Sequence, residues 1–251
     1  MAETLLKVEG VNKSFGGVVT AENVDITVES GQIRGLIGPN GAGKTTLLNL
    51  ISGIYSVDSG SIFFKDKDIT LLPAYKRSRL GLGRTFQSPR FMTRASIEDN
   101  LKVGSDLLNG MGYIQSFFGK KGVDFFSDLN DLLEIVGFTF DWEDDIDSMP
   151  YGQQKLLEIV RTMLSKPSVM LVDEPAAGLN GQEQERVCDL LYKAAGMGIG
   201  VILIEHSMDM IMSICDRITV LSFGKVIAEG LPKEIASNKD VIEAYLGGDN
   251  I

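Results

Sequence analysis

The sequence predicts an α/β fold in which a buried parallel sheet is preceded by an antiparallel β region and interrupted by an inserted helical region. Three observations carry this. Two compact apolar runs, Val169-Met170-Leu171-Val172 and Val201-Ile202-Leu203-Ile204, each end in an acidic residue and a loop, with a helical stretch from Glu183 to Ala195 between them. Continuous apolar runs of that length suit strands buried on both faces of a parallel sheet. The opening of the chain alternates with period two instead. From about Arg90 to Leu164 apolar residues recur at helical spacing, as in Leu129, Leu132, Leu133 and Val136.

The elements follow in order. Leu6-Lys7-Val8-Glu9 and Val24-Asp25-Ile26-Thr27-Val28 read as half-buried strands, and Gly60 to Phe64 and Ile69 continue the pattern. Arg34-Gly35-Leu36-Ile37 is a short strand ending in a glycine-rich turn, and a helix starts around Lys44. The segment Asn109 to Phe126 mixes glycines with aromatics and reads equally as a loop or a short amphipathic helix. Near the end, Ile218 to Leu221 and Lys225 to Ala228 form a hairpin turning at Phe223-Gly224, and a helix around Val241 to Leu246 follows. The expected organisation is one domain: residues 1–89 and 166–251 form a core, and residues 90–165 form the helical subdomain.

A chain of 251 residues with 44% apolar side chains is long enough for such a domain and its core. The formal charge of −10 argues against nucleic acid or anionic lipid as a bulk-charge partner. Cys188 and Cys215 lack metal-site spacing and read as packed, reduced thiols. No signal peptide is visible, and no apolar run approaches the ~20 residues of a membrane helix, so any membrane span is expected in another chain.

Gly38-Pro39-Asn40-Gly41-Ala42-Gly43-Lys44-Thr45 fits the phosphate-loop pattern. Its glycines let the backbone wrap phosphates closely and turn N–H groups inward. Lys44 would reach the β- and γ-phosphates, Thr45 would ligate magnesium, and the following helix offers its positive end. The nucleotide set on this segment is Gly38, Asn40, Gly41, Ala42, Gly43, Lys44, Thr45 and Thr46, with ATP and Mg2+ as cofactors. The acidic partner is Asp173, delivered by its strand beside the metal, and Glu174 next to it is placed to polarise an attacking water. His206, the single histidine, follows a second buried strand at the carboxyl end of the same sheet, where ligands bind. Gln87, in Arg84-Thr85-Phe86-Gln87, offers an amide for magnesium or water. Met149-Pro150-Tyr151-Gly152-Gln153-Gln154 precedes an amphipathic helix whose apolar face is Leu156, Leu157, Val160, Met163 and Leu164. It reads either as a helix cap or as a second anion site for a partner subunit's nucleotide.

In this order the motifs resemble the ATP-binding cassette (ABC) family across nearly the whole chain. The resemblance implies a Walker A loop at Gly38 to Thr45, a Q-loop at Gln87, and a signature at Met149 to Gln153 that contributes Tyr151, Gly152 and Gln153 to nucleotide binding. It further implies Walker B at Val169 to Asp173, a D-loop at Ala177 to Asn180, a switch histidine at His206, and an adenine-stacking aromatic at Phe15. The catalytic set is then Glu174, His206 and Gln87, and the metal set Thr45, Gln87 and Asp173. Three positions depart from the family pattern: Pro150 for a serine, Tyr151 for a glycine and Asn180 for an aspartate. Gly83 to Gln87, Tyr151 to Gln154, Glu174 to Asn180 and Ala244 to Gly247 resemble more closely the LivG-type ATPases of branched-chain amino acid importers. Related subunits serve urea uptake and lipopolysaccharide export.

This implies a peripheral subunit on the cytoplasmic face of the membrane. Its expected partners are transmembrane permease subunits, a second ABC ATPase (its own copy or a LivF-like relative), and indirectly a solute-binding protein. A competing reading is a soluble ABC ATPase outside transport. Arg90, Phe91, Met92 and Arg94 form an apolar and basic patch after Gln87, read as a groove for a permease helix or as packing inside the helical subdomain.

Overall fold

The computed structural model describes residues 2–106 and 122–246. Of the undecided segment 109–126, residues 109–121 lie outside that range, and 122–126 open a helix. The chain begins with two long antiparallel strands, β1 (Thr4–Phe15) and β2 (Val18–Glu29). Then come β3 (Ile33–Ile37), α1 (Lys44–Ser52), β4 (Ser59–Phe64), β5 (Lys67–Asp68), α2 (Ala74–Arg79) and β6 (Leu82–Arg84). Three helices follow: α3 (Ile97–Asp106), α4 (Gly122–Val136) and, after a short 3-10 turn, α5 (Tyr151–Leu164). The remainder is β7 (Val169–Asp173), α6 (Gly181–Gly196), β8 (Gly200–Ile204), α7 (Met208–Ile214), β9 (Arg217–Ser222), β10 (Lys225–Gly230), α8 (Pro232–Ala236) and α9 (Lys239–Leu246).

Two sheets result. One is antiparallel with strand order β2-β1-β4-β5. The other runs β10-β9-β3-β8-β7-β6, parallel throughout except for β10 at its edge. Every residue of β3, β7 and β8 is buried, as the continuous apolar runs predict. Period two persists within these runs and divides the core. Val169, Leu171, Ile202 and Ile204 face a cluster with α1 and the antiparallel sheet. Met170, Val172, Val201 and Leu203 face a second cluster built from α3 to α7. That second cluster includes Ile97, Leu101, Leu129, Leu132 and Val136, so the inserted helices share a core with the sheet.

The structure departs from the sequence reading at α5. Its predicted apolar face is buried, but Lys155, Glu158 and Thr162 on other faces are buried too. The helix is wedged between other helices and the loops at the sheet's end, so these polar side chains meet backbone rather than water. The β9–β10 hairpin turns where predicted, with Phe223 and Gly224 both at positive φ (44° and 78°), the geometry of a tight hairpin turn. Gly224 N–H donates to Ala42 C=O at 2.9 Å and Gly224 C=O accepts from Glu22 N–H at 2.8 Å, so the turn braces the glycine-rich loop against β2.

Candidate active site

The loop from Gly38 to Gly43 joins β3 to α1 and takes a path open only to glycine at fixed points. Gly38 has φ 151°, and a Cβ there would lie 2.0 Å from Leu221 C=O. Gly43 has φ 102°, and its Cβ would lie 2.3 Å from Thr20 C=O. Both obstacles are backbone, so neither yields. The Lys44 ammonium folds back over the loop, donating to the carbonyls of Gly38 at 2.7 Å and Pro39 at 3.0 Å. Burial lowers its pKa, and the carboxylates of Glu174 and Asp173 oppose that shift.

At the carboxyl end of β7, Asp173 is buried and its nearest cation is Arg84, whose Nη2 lies 3.9 Å from Oδ2. Burial pushes the Asp173 carboxyl above its ordinary pKa, with Arg84 acting the other way. Glu174 has φ 48°, a left-handed conformation that is costly for a residue with a side chain. Its N–H donates to Ile204 C=O at 2.9 Å. Its carboxylate is held from both sides: Gln87 Nε2 donates to Oε2 at 2.9 Å, and His206 Nε2 lies 2.9 Å from Oε1. The sequence-predicted catalytic set, distributed over more than a hundred residues, is thus one hydrogen-bonded chain at the carboxyl end of the sheet. A cleft of about 350 Å3 beside it is lined by Thr20, Asn40, Gly41, Ala42, Gly43, Lys44, Thr45, Thr46, Glu174 and His206.

Of the predicted residues, Phe15, Gly38, Asp173, Gln87, Tyr151, Gly152 and Gln153 do not line that cleft. Phe15 ends β1 half-exposed, with the edge of Tyr55 against it at 5.2 Å and Lys13 Nζ 5.1 Å from its ring. Tyr151 opens α5 after Pro150, half-exposed, and its hydroxyl donates to Gln87 C=O at 3.3 Å. Gly152 sits where a Cβ would meet the Glu183 carboxylate at 2.3 Å. Asn180 caps α6, accepting from Glu183 N–H at 3.1 Å, and Glu183 accepts from Asn180 N–H at 3.0 Å. Asparagine and aspartate cap about equally well, so this departure removes a charge and keeps the cap. Around the patch after Gln87, Phe91 packs against the helical core with Arg161 4.5 Å from its ring, while Met92 is exposed.

Three of the buried polar side chains that sequence reasoning missed bind the loops of this site. Glu205 accepts from Ala176 N–H at 2.6 Å and from His206 N–H at 3.0 Å, joining the loops after β7 and β8. Lys155 donates to the carbonyls of Glu174 at 2.8 Å and Ala177 at 3.0 Å. Glu158 accepts weakly from the N–H groups of Phe86 and Arg90 on either side of Gln87. Only Glu205 left a signal, as the acid that ends the second apolar run.

Comparison with known proteins matches residues 21–177 to the ABC transporter family model and residues 225–250 to a model described as branched-chain amino acid ATP-binding cassette transporter. A probable branched-chain amino acid transport ATP-binding protein, LivG, of Archaeoglobus fulgidus is 34% identical over 98% of this chain and 96% of its own. The high-affinity branched-chain amino acid transport ATP-binding protein BraF of Pseudomonas aeruginosa is 35% identical over 98% of this chain and 99% of its own. Among solved structures, the ADP conformation of an ATP-binding cassette of an ABC transporter superposes with a TM-score of 0.81 at 30% identity, covering 97% of this chain and 99% of that one. With the glycine-rich cleft and the Gln87–Glu174–His206 chain beside it, these similarities make the protein a member of the ABC family, an ATP-binding and ATP-hydrolysing transporter subunit.

Proposed function

We propose that this subunit powers import of a branched-chain amino acid through a separate permease, hydrolysing ATP in the cleft between the Lys44 loop and the Glu174–His206 pair. The observation that carries the chemistry is the convergence of Gln87 and His206 on the Glu174 carboxylate at one wall of the cleft. A carboxylate held there suits a base that takes a proton as water forms a bond to the γ-phosphorus and the bond to the β-phosphate oxygen breaks, leaving ADP and phosphate. Lys44 trades its loop carbonyls for phosphate oxygens, and His206 senses the γ-phosphate. The hydroxyl of Thr45, the Asp173 carboxylate and the Gln87 amide are hard oxygen donors of the kind Mg2+ takes. No cluster of three acidic, histidine or cysteine ligands occurs among the described residues, in keeping with an ion held largely by phosphates and water. When bound, the ion would neutralise charge on the phosphates.

The signature residues Tyr151, Gly152 and Gln153 are outside the cleft, which supports their reading a partner subunit's nucleotide in a head-to-tail pair, with Phe15 stacking on adenine. No described helix is long and apolar enough to cross a membrane, so the permease provides the span and Met92 is a surface available to it. Cargo is read from the similarity of the tail and of the full-length relatives. The test is co-purification of the native complex and uptake of labelled leucine, urea and sugar by vesicles containing it. Leucine uptake that stops without ATP is the expected result, and uptake of another solute alone would overturn the cargo.

A further inference from the structure

We infer that Lys155 is a positioning residue for hydrolysis, holding the backbone of Glu174 in the conformation that aims its carboxylate between Gln87 and His206. The inference rests on the reading of Glu174 as the base. It begins with spacing. Tyr151, Lys155 and Glu158 stand at i, i+4 and i+7 and so form one stripe along α5. In a surface helix such a stripe is the wet side. Here Lys155 is 3% exposed and Glu158 is 2% exposed, and each side chain of the stripe ends on the backbone of a catalytic loop. Tyr151 reaches Gln87 C=O, Lys155 reaches Glu174 and Ala177, and Glu158 reaches Phe86 and Arg90.

The contact at Glu174 has a specific job. A glutamate at φ 48° relaxes to negative φ unless its surroundings hold it. Its N–H is tied to β8 through Ile204, and its carbonyl takes the Lys155 ammonium. A second bond from the same ammonium to Ala177 ties in the loop that runs on to Asn180. Without the ammonium, two carbonyls lose a charged donor and the peptide after Glu174 is free to turn, which swings the carboxylate away from the cleft. Burial lowers the Lys155 pKa, but Glu205, Glu174, Glu158 and Asp173 all favour its charged form. Because Lys155 stands four residues after Tyr151, the helix that presents the signature also sets the base in the same chain.

The test compares Lys155→Met, Lys155→Gln and Lys155→Arg in the full-length subunit, measuring steady-state ATPase kinetics, binding of a fluorescent ATP analogue and thermal unfolding. Lys155→Met is expected to lower kcat about 10–100-fold with KM and analogue affinity within about twofold, the cost of a misaimed group away from the bond being broken. Lys155→Arg, which keeps the charge and can reach both carbonyls, is expected to recover most of the rate. If Lys155→Met does not fold, Lys155→Gln carries the same expectation. A kcat near wild type in the folded variant overturns the inference, as does a parallel loss of affinity, stability and rate that arginine does not repair. Glu174→Gln is measured alongside: if it keeps turnover, the base assignment fails, whereas its loss with an intact Lys155→Met rate removes only the role of Lys155.

Discussion

The two glycine-bearing junctions that lead into helices, Gly38 to Thr45 and Met149 to Gln153, look alike as strings and are built differently. In the first, Gly38, Gly41 and Gly43 all have positive φ, and the loop walls a cleft together with Glu174 and His206. In the second, the glycine is an ordinary helical residue pressed against Glu183, the preceding proline has no N–H to offer, and the tyrosine hydroxyl is spent on Gln87. One junction curls along a cleft that its own chain walls. The other is shaped around its own chain and leaves the opposite side of the helix start for something else. A glycine therefore means a backbone path in the first case and a close side-chain approach in the second.

The largest expected effect breaks the first junction's chemistry without touching its shape. Glu174→Gln keeps the contact geometry and removes the proposed base, so ATP turnover should fall about 10²–10⁴-fold while nucleotide binding persists. Sedimentation of this variant with ATP should show a dimer, and turnover near wild type would exclude Glu174 as base. Next in size is Gly38→Ala, which forces a Cβ onto Leu221 C=O. A loss of about 3 kcal/mol or more in unfolding free energy, with loss of ATP-analogue binding, is expected. Retention of both would mean that the loop adopts another path.

A smaller effect concerns the helix behind the second junction. Burial pushes the Glu158 carboxyl up to about 7, from an ordinary 4.5, with the N–H groups of Arg90 and Phe86 and the Arg161 and Lys155 cations acting against it. The folded state then holds a proton that the unfolded state gives up, so this contribution to stability is present below the unfolded value and is lost as pH rises through about 7. Glu158→Gln should remove that slope. Denaturation curves at about pH 5.5 and about pH 8 should differ between the two proteins by on the order of 1–3 kcal/mol in the change with pH. Equal slopes would place the proton elsewhere. The smallest effect is Gly152→Ala. The obstacle is a carboxylate that can move, at the cost of its bond in the Asn180 cap, so about 1 kcal/mol of stability is expected to go. A loss as large as that for Gly38→Ala would erase the distinction between the junctions.

The parts of this site legible in the sequence are those where one residue type is demanded by local backbone or by the chemistry itself. The glycine-rich loop is readable because its left-handed φ values favour glycine and the backbone around Gly38 and Gly43 leaves no room for a Cβ, and β7 and β8 because strands covered on both faces leave continuous apolar runs. Asp173, Glu174 and His206 are readable as the polar residues that end such runs. Lys155 and Glu158 were not readable. A helix carrying one lysine and one glutamate among leucines looks amphipathic, and only the loops folded over α5 make those charges interior. The same holds for Phe91, whose place against Arg161 depends on where α5 passes.

By itself, then, the sequence determined the early antiparallel strands, the buried strands β7 and β8, the glycine-rich turn into α1 and the closing hairpin and helix, and it proposed Glu174, His206 and Gln87 for hydrolysis, because periodicity, glycine conformational freedom and carboxylate chemistry are local properties; the short elements α2, β6, α7 and α8 were not legible in it. Only the tertiary structure decided that Gln87 and His206 meet on one carboxylate, that Gly152 is closed off by Glu183, and that Lys155 of α5 donates to the Glu174 and Ala177 carbonyls. Each of these is a contact between segments far apart in the chain. No local rule reports which buried carbonyl a distant ammonium will find, since that depends on how the helices and the sheet share a core.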